Sequence, residues 1–216
     1  MQSDKAKFKE EFKARVYKFA LDVIGFVDRL PAEHTSRIIA DQLDNVHFPH
    51  EGYFGLVNVY SSLKDVGADD NYNKIDISFL KAFTYKKYTI LSNVRFGSYL
   101  GNEIPYYDEF TLGGFLGLSG LHQDQLRGQR VGLGSLVAYW NASQSLLGSF
   151  YLGGSLETGN AWDRDEDIEF ENLRLAGSVF IGYDTPFGPL YLGLGHADGG
   201  NNALYFYLGR TFGRRF

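Results

Sequence analysis

The residues able to do chemistry are few and scattered. A serine-hydrolase elbow needs G-x-S-x-G. The chain has none, and Gly117-Leu118-Ser119-Gly120-Leu121 misses it by one residue. There is no Cys in 216 residues, which excludes a thiolate nucleophile, a thiolate metal site and a disulfide scaffold. Of the five His, only His47 and His50 stand close together. In an extended segment positions i and i+3 point to opposite faces, which argues against one shared metal. Gly132-Leu133-Gly134 and Gly193-Leu194-Gly195 lack the third glycine of a dinucleotide loop and read as strand glycines. The Asp163–Asp167 run, broken by Arg164, reads as a solvated loop. The expectation is a chain with no cofactor, no metal and no enzymatic activity.

The elements that carry these residues come from a composition that changes along the chain. Only Gly25 lies in the first 50 residues, and the other 25 of 26 Gly follow. In the first segment Phe8, Phe12, Val16, Phe19, Val23, Phe26 and Leu30 recur at a period near 3.6 and predict an amphipathic helix ended by Pro31. Ile38, Ile39 and Leu43 predict a shorter helix near Ser36–Leu43. Together these make a helical hairpin over residues 1–43. Its broad apolar stripe needs a partner: more helices, a second copy or a membrane surface.

The second segment, 44–216, alternates. Ile75, Ile77, Phe79, Phe83 and Tyr85 interleave with Asp76, Ser78, Ala82 and Thr84. Leu173, Leu175, Val179 and Ile181 interleave with Arg174, Ala176, Ser178 and Gly182. Period 2 means strand. About nine strands follow, at 53–62, 73–86, 88–100, 110–121, 129–143, 146–160, 171–184, 189–197 and 203–212. Several exceed the usual globular length and suit a tilted membrane strand of about 9–11 residues. Lys86–Lys87 and Gly188–Pro189 mark tight turns, whereas 101–109 and 163–170 are longer and acidic. Aromatics form 16% of the chain, as expected where rings sit at a water–lipid boundary. A soluble sandwich would put its large apolar residues inside. Here the face opposite Leu, Val, Ile and Phe is small or polar, which fits a plugged or water-filled lumen inside a lipid-facing wall. The fold class is therefore mainly β: a partial antiparallel outer-membrane β-barrel of about nine strands behind an α-helical hairpin. A formal charge of −5 argues against a nucleic-acid partner.

Several local sequences carry a family likeness. They are Leu43-Asp44-Asn45 with His47-Phe48-Pro49-His50-Glu51-Gly52, Tyr107-Asp108-Glu109-Phe110-Thr111-Leu112-Gly113-Gly114, Leu126-Arg127-Gly128, Glu157-Thr158-Gly159-Asn160-Ala161-Trp162, Ile181 to Leu190, and Leu204 to Phe212. In this order they resemble the C-terminal barrel of the bacterial surface antigen superfamily, which contains the outer-membrane assembly factors. Gly113 to Gly120 followed by Gln125-Leu126-Arg127-Gly128 is most similar to the barrel of patatin-like phospholipases of the type V secretion class. About half of the family's barrel is present. Residues 8–43 resemble the first hairpin of the four-helix bundle proteins encoded in 23S rRNA intervening sequences.

The resemblance implies roles. Leu126-Arg127-Gly128 is similar to the motif at the tip of an inward loop. Carried over, Arg127 pairs with the wall acid Glu157 and holds the plug, because a guanidinium inside a lumen wants a carboxylate. Leu204, Phe206, Leu208 and Phe212 are similar to the closing strand read by the barrel-assembly machinery. The implied partners are outer-membrane lipids and that machinery, with a homodimer through open sheet edges or through the helical stripe. The implied location is the outer membrane. Met1-Gln2-Ser3-Asp4-Lys5 opens no secretory signal, so the chain as written is expected to stay cytoplasmic, as a fragment or chimera would. The implied function is the anchor or translocator part of a patatin-like phospholipase or surface-antigen protein. The lipase elbow itself is missing. The competing reading is a soluble helical-bundle interaction protein with a remnant β region.

Overall fold

A computed structural model describes residues 36–64, 69–145, 148–163, 170–185 and 188–209. The expected helix over 8–30 and the terminal position Phe212 lie outside these residues.

The wall is one nine-stranded antiparallel sheet, together with a two-stranded insert. In chain order the strands are β1 (Ser36–Asp41), β2 (Gly52–Ser62), β3 (Tyr72–Tyr85), β4 (Tyr88–Leu100), β5 (Phe110–Leu112), β6 (Leu126–Gly128), β7 (Arg130–Ser145), β8 (Gly148–Trp162), β9 (Arg174–Thr185), β10 (Gly188–Ala197) and β11 (Asn201–Leu208). The wall runs β1-β2-β3-β4-β7-β8-β9-β10-β11, and β5 pairs only with β6. Among the described residues β1 and β11 do not pair with each other.

Two expected elements change. The segment near Ser36–Leu43 is a strand over Ser36–Asp41, paired with β2 from Ser36↔Val59 to Asp41↔Phe54. Its helix-compatible placing of Ile38, Ile39 and Leu43 lost to the open hydrogen-bonding edge of β2 and to the strand preference of Ile38 and Ile39. The sheet thus begins before the expected boundary at 43/44. The expected strand over 110–121 is an inward loop holding only the short β5. Gly113, Gly114 and Gly120 all take positive φ there, and so do Leu116 and Leu118, which no strand permits. The wall keeps nine strands because β1 replaces the lost one.

The facing of the wall follows the alternation. Leu156, Val179, Leu194 and Phe206 point outward with 72%, 64%, 59% and 76% of their surface exposed. Ala82, Leu91, Ser135, Ser155, Ser178 and Tyr191 point inward and are buried. Such a continuous exposed apolar face is far beyond what a water-soluble monomer shows. In hydrocarbon it is what a barrel wall requires.

The rims differ. At one, β3–β4, β7–β8 and β9–β10 join by two residues each, at 86–87, 146–147 and 186–187. Gly188 and Pro189, expected as a turn, instead pair with Thr185 and Asp184 as the first residues of β10. Tyr85, Tyr88, Trp140, Phe150 and Tyr183 cluster near this rim, with Lys86 and Lys87 ammonium groups 5.2 and 5.5 Å from the Tyr85 and Tyr88 ring centroids. At the opposite rim the turn 198–200 joins β10 to β11, and the strand ends of β2 and β3, β4 and β7, and β8 and β9 are separated by longer stretches of sequence.

Candidate functional site

The concave face is the candidate site, and two inserted segments fill it. Residues 101–129 enter from the long-loop rim, and residues 42–51 cross the short-turn rim.

The inward loop is fastened to both sides of the wall. On β8, the Glu157 carboxyl group is 2% exposed. It accepts the Leu118 and Ser119 backbone N–H groups at 2.5 and 2.6 Å and the Ser119 hydroxyl at 2.7 Å. Ser155 donates its hydroxyl to the same carboxyl group at 2.5 Å and lies 2.6 Å from the Ser178 hydroxyl on β9. Four donors converging on one buried acid satisfy what burial would otherwise leave costly. Beyond Ser119 the Gly120 N–H donates to the Tyr205 hydroxyl of β11, which donates to the Leu121 carbonyl. Gly120 has φ +109°, and a Cβ there would sit 2.4 Å from the Ala197 nitrogen. Gly195 on β10 faces it with a Cβ position 2.6 Å from the Gly120 nitrogen. Loop and wall thus touch backbone to backbone, which only glycine allows.

On the other side, Arg95 of β4 holds Asp76 of β3 bidentately, Nε–Oδ1 3.1 Å and Nη2–Oδ2 2.7 Å, and donates to the Thr111 carbonyl of β5. Lys74 and the Tyr72 hydroxyl hold Asp108 at 2.6 and 2.5 Å. The buried Gln129 side chain clamps the loop's root, accepting from Ile104 N–H and donating to Ile104 O and Glu109.

The second segment is an aromatic strap. Phe48 is fully buried, stacked 4.0 Å from the Tyr151 ring and edge-on to Tyr139. Gly182 makes room for it, since a Cβ there would lie 2.6 Å from Phe48 Cζ. The Tyr139 hydroxyl donates to Pro49 O, and Tyr191 donates to His47 O at 3.1 Å. At the rim His47 Nδ1 meets Asp184 at 2.8 Å. Asp44 accepts the His50 and Glu51 N–H groups at 2.8 and 2.9 Å. Partial burial alone would raise the Asp44 pKa. The hydrogen bonds from Glu51 and His50 and the charge of His50 outweigh it and hold the acid below its ordinary value.

The expected Arg127–Glu157 pair is not made. Arg127 Nη1 donates to Tyr106 O at 2.7 Å, with the guanidinium 4.8 Å from the Tyr106 ring centroid. Glu157 spends its acceptors on the loop backbone instead. The reason is placement. Leu126, Arg127 and Gly128 form β6, returning toward the long-loop rim opposite β5, and the innermost residues are 113–121. A Cβ on Gly128 would sit 2.8 Å from the Trp162 nitrogen, so this motif docks against the end of β8 rather than at the tip. Leu204, Phe206 and Leu208 lie on β11, all exposed outward. The Arg95–Asp76 pair was not anticipated; its signal was the charges Lys74, Asp76 and Arg95 on the inner parity of β3 and β4.

Ser119, the nearest approach to an elbow serine, is fully buried. It accepts Leu116 N–H and donates to Glu157, so its hydroxyl is a fastener. His47 and His50 each face their own aspartate, and among the described residues no group of three metal-ligating side chains forms. Between the loop, β2–β4 and β11 lies a cavity of about 880 Å³, reached by Asn58, Lys74, Arg95, Arg127 and Tyr205.

A family model described as the Omp85 superfamily domain matches residues 32–212. No curated protein matches the chain. The crystal structure of BamA from Haemophilus ducreyi lacking POTRA domains 1–3 has the same fold, with TM-score 0.66 at 13% identity. The match covers 79% of this chain and 40% of that one, so the chain spans less than half the length of that relative.

Proposed function

Because the chain belongs to the Omp85 superfamily and is a protein of the bacterial outer membrane, we propose that it is the membrane anchor and translocator part of a surface-antigen type protein, not an enzyme. The observation that carries this reading is the facing of one sheet. Leu, Val, Ile and Phe line the outside, and the concave side holds a polar-fastened plug. The passenger class is the one the sequence resembles, a patatin-like phospholipase. This chain supplies the wall through which, or on which, such a passenger is held. The short-turn rim faces the periplasm and the long loops face outward, as barrels are built. Barrel lipids contact the outer face, and the barrel-assembly machinery inserts the sheet through its β11 edge.

Membrane fractionation tests this. The expected result is recovery in the outer-membrane fraction with heat-modifiable migration in detergent. Recovery as a discrete soluble oligomer would overturn it in favour of the helical-bundle reading. Ester hydrolysis lost on Ser119→Ala, in a protein whose heat-modifiable migration is unchanged, would overturn the non-enzymatic part.

A further inference from the structure

The outward side of the wall carries one charge that the alternation does not explain. The strand pairing puts Val57, Ile77, Phe79, Phe83, Ile90 and Val94 on the outward rows of β2, β3 and β4. Lys81 stands in the same row as Phe79 and Phe83 and is exposed as they are. Among the described residues it is the one Lys, Arg, Asp or Glu on those three outward rows. A cation on a lipid-facing wall is costly at the bilayer midplane and nearly free at the interface. Its neighbours place Lys81 at the interface. It is directly opposite Tyr53, near the short-turn end of β2, and opposite the exposed Ser92 of β4.

Two more cations stand on the same flank. Lys86 and Lys87 make the turn between β3 and β4, and both are exposed. The three ammonium groups share one geometry. Lys81 Nζ lies 5.8 Å from the Tyr53 ring centroid, Lys86 Nζ 5.2 Å from that of Tyr85, and Lys87 Nζ 5.5 Å from that of Tyr88. Each cation is thus held at the level of a rim aromatic. Among the described residues none of the three reaches a carboxylate, whereas Lys64, Lys74 and Arg95 each do. A ring face attracts an ammonium group but accepts none of its N–H donors as an anion would. The other short turns differ in sequence, since Leu146-Leu147 and Pro186-Phe187 carry no charge. The cations therefore mark the β2–β4 flank rather than the rim as a whole.

What can satisfy them follows from where they are. Phe79, Phe83 and Ile90 border them on the hydrocarbon side, so the matching partner has an anionic group at ring level and an apolar body beyond it. We propose that Lys81, Lys86 and Lys87 hold the phosphate of an anionic phospholipid, in the leaflet that meets the short-turn rim, with its acyl chains lying along Phe79, Phe83 and Ile90. The net negative charge of such a lipid is what three unpaired cations select over a zwitterionic one. The inference rests on the membrane-wall reading above and gives that wall a headgroup preference on one flank.

The full chain is reconstituted in vesicles of phosphatidylcholine mixed with phosphatidylglycerol and extracted in mild detergent, and the lipids that stay bound are counted by native mass spectrometry. Phosphatidylglycerol should be enriched over its share of the vesicle, and high salt during reconstitution should lower the enrichment. Lys81→Gln alone should reduce it about fivefold, and Lys81→Gln with Lys86→Gln and Lys87→Gln by more than about tenfold. Lys81→Arg, Lys86→Arg and Lys87→Arg together should keep it. Heat-modifiable migration, measured in parallel, reports that each variant is folded. A bound-lipid ratio equal to that of the vesicle, an enrichment that survives the triple Gln substitution, or equal losses in the triple Gln and triple Arg variants would overturn the proposal and leave the membrane assignment standing. Protein that enters no vesicle would overturn both.

Discussion

The two segments threaded into the concave face solve the same problem with opposite chemistry. The inward loop 113–121 is held by a carboxyl group that collects backbone and hydroxyl donors, and by glycines that let two main chains touch. The strap 42–51 is held by one ring among tyrosines, whose hydroxyls reach its carbonyls. The first kind of fastening depends on direction and fails when a single acceptor is removed. The second depends on volume and fails when a ring is removed. A plug that must keep one register suits the first, and a seal at a rim suits the second.

The contrast can be broken at three points. Glu157→Ala orphans the buried Leu118 and Ser119 N–H groups and the Ser119 hydroxyl proton, while Ser155 keeps Ser178, at about 1–3 kcal/mol for each unsatisfied group. The loop should become cleavable by added protease in detergent, while the wall stays folded. Unchanged protection would mean that the glycine contact, not the acid, holds the loop. Phe48→Ala should cost about 3–5 kcal/mol and lower the temperature at which heat-modifiable migration is lost. Phe48→Leu should restore part of it. Equal losses for Ala and Leu would show that stacking rather than volume matters.

The smallest effect concerns Asp44. Its pKa is depressed in the folded chain, so its contribution is complete above the ordinary carboxylate value and disappears as pH falls through the lower folded value. Acid titration of strap protection, followed by hydrogen exchange at His50 and Glu51, should show this step. Asp44→Asn should abolish it.

How far the sequence carried depended on what each feature is made of. The strands β3, β4 and β7–β11 were legible because a wall with lipid on one side imposes period 2 on side-chain type. Segment 110–121 keeps that alternation only from Phe110 to Leu112, and Phe115, Leu118 and Leu121 then recur every three residues. The adjacent Gly113-Gly114 was the available warning. Segment 36–43 fits both periods, and only the neighbouring edge of β2 decides for strand. Glu157 could be placed on the wall from its motif. Its partners could not, because Leu118 and Ser119 offer main-chain N–H groups, which no side-chain pattern announces. The resemblance supplied Arg127 as a partner instead, and the turn-back at β6 carries that residue to Tyr106. Asp76 and Arg95 could have been found by asking why they and Lys74 sit on the inner parity of long strands.

Gly120 lying on Gly195 while Thr111 hangs from Arg95 gives the insert a grip on both flanks of the wall. Among the described residues β1 and β11 do not meet, and a sheet so paired has no reason of its own to keep a given radius. Here the radius is dictated from the hollow side, much as a former shapes a shell laid over it. Loosening that former should therefore let the strands splay or flatten before any of them unzips.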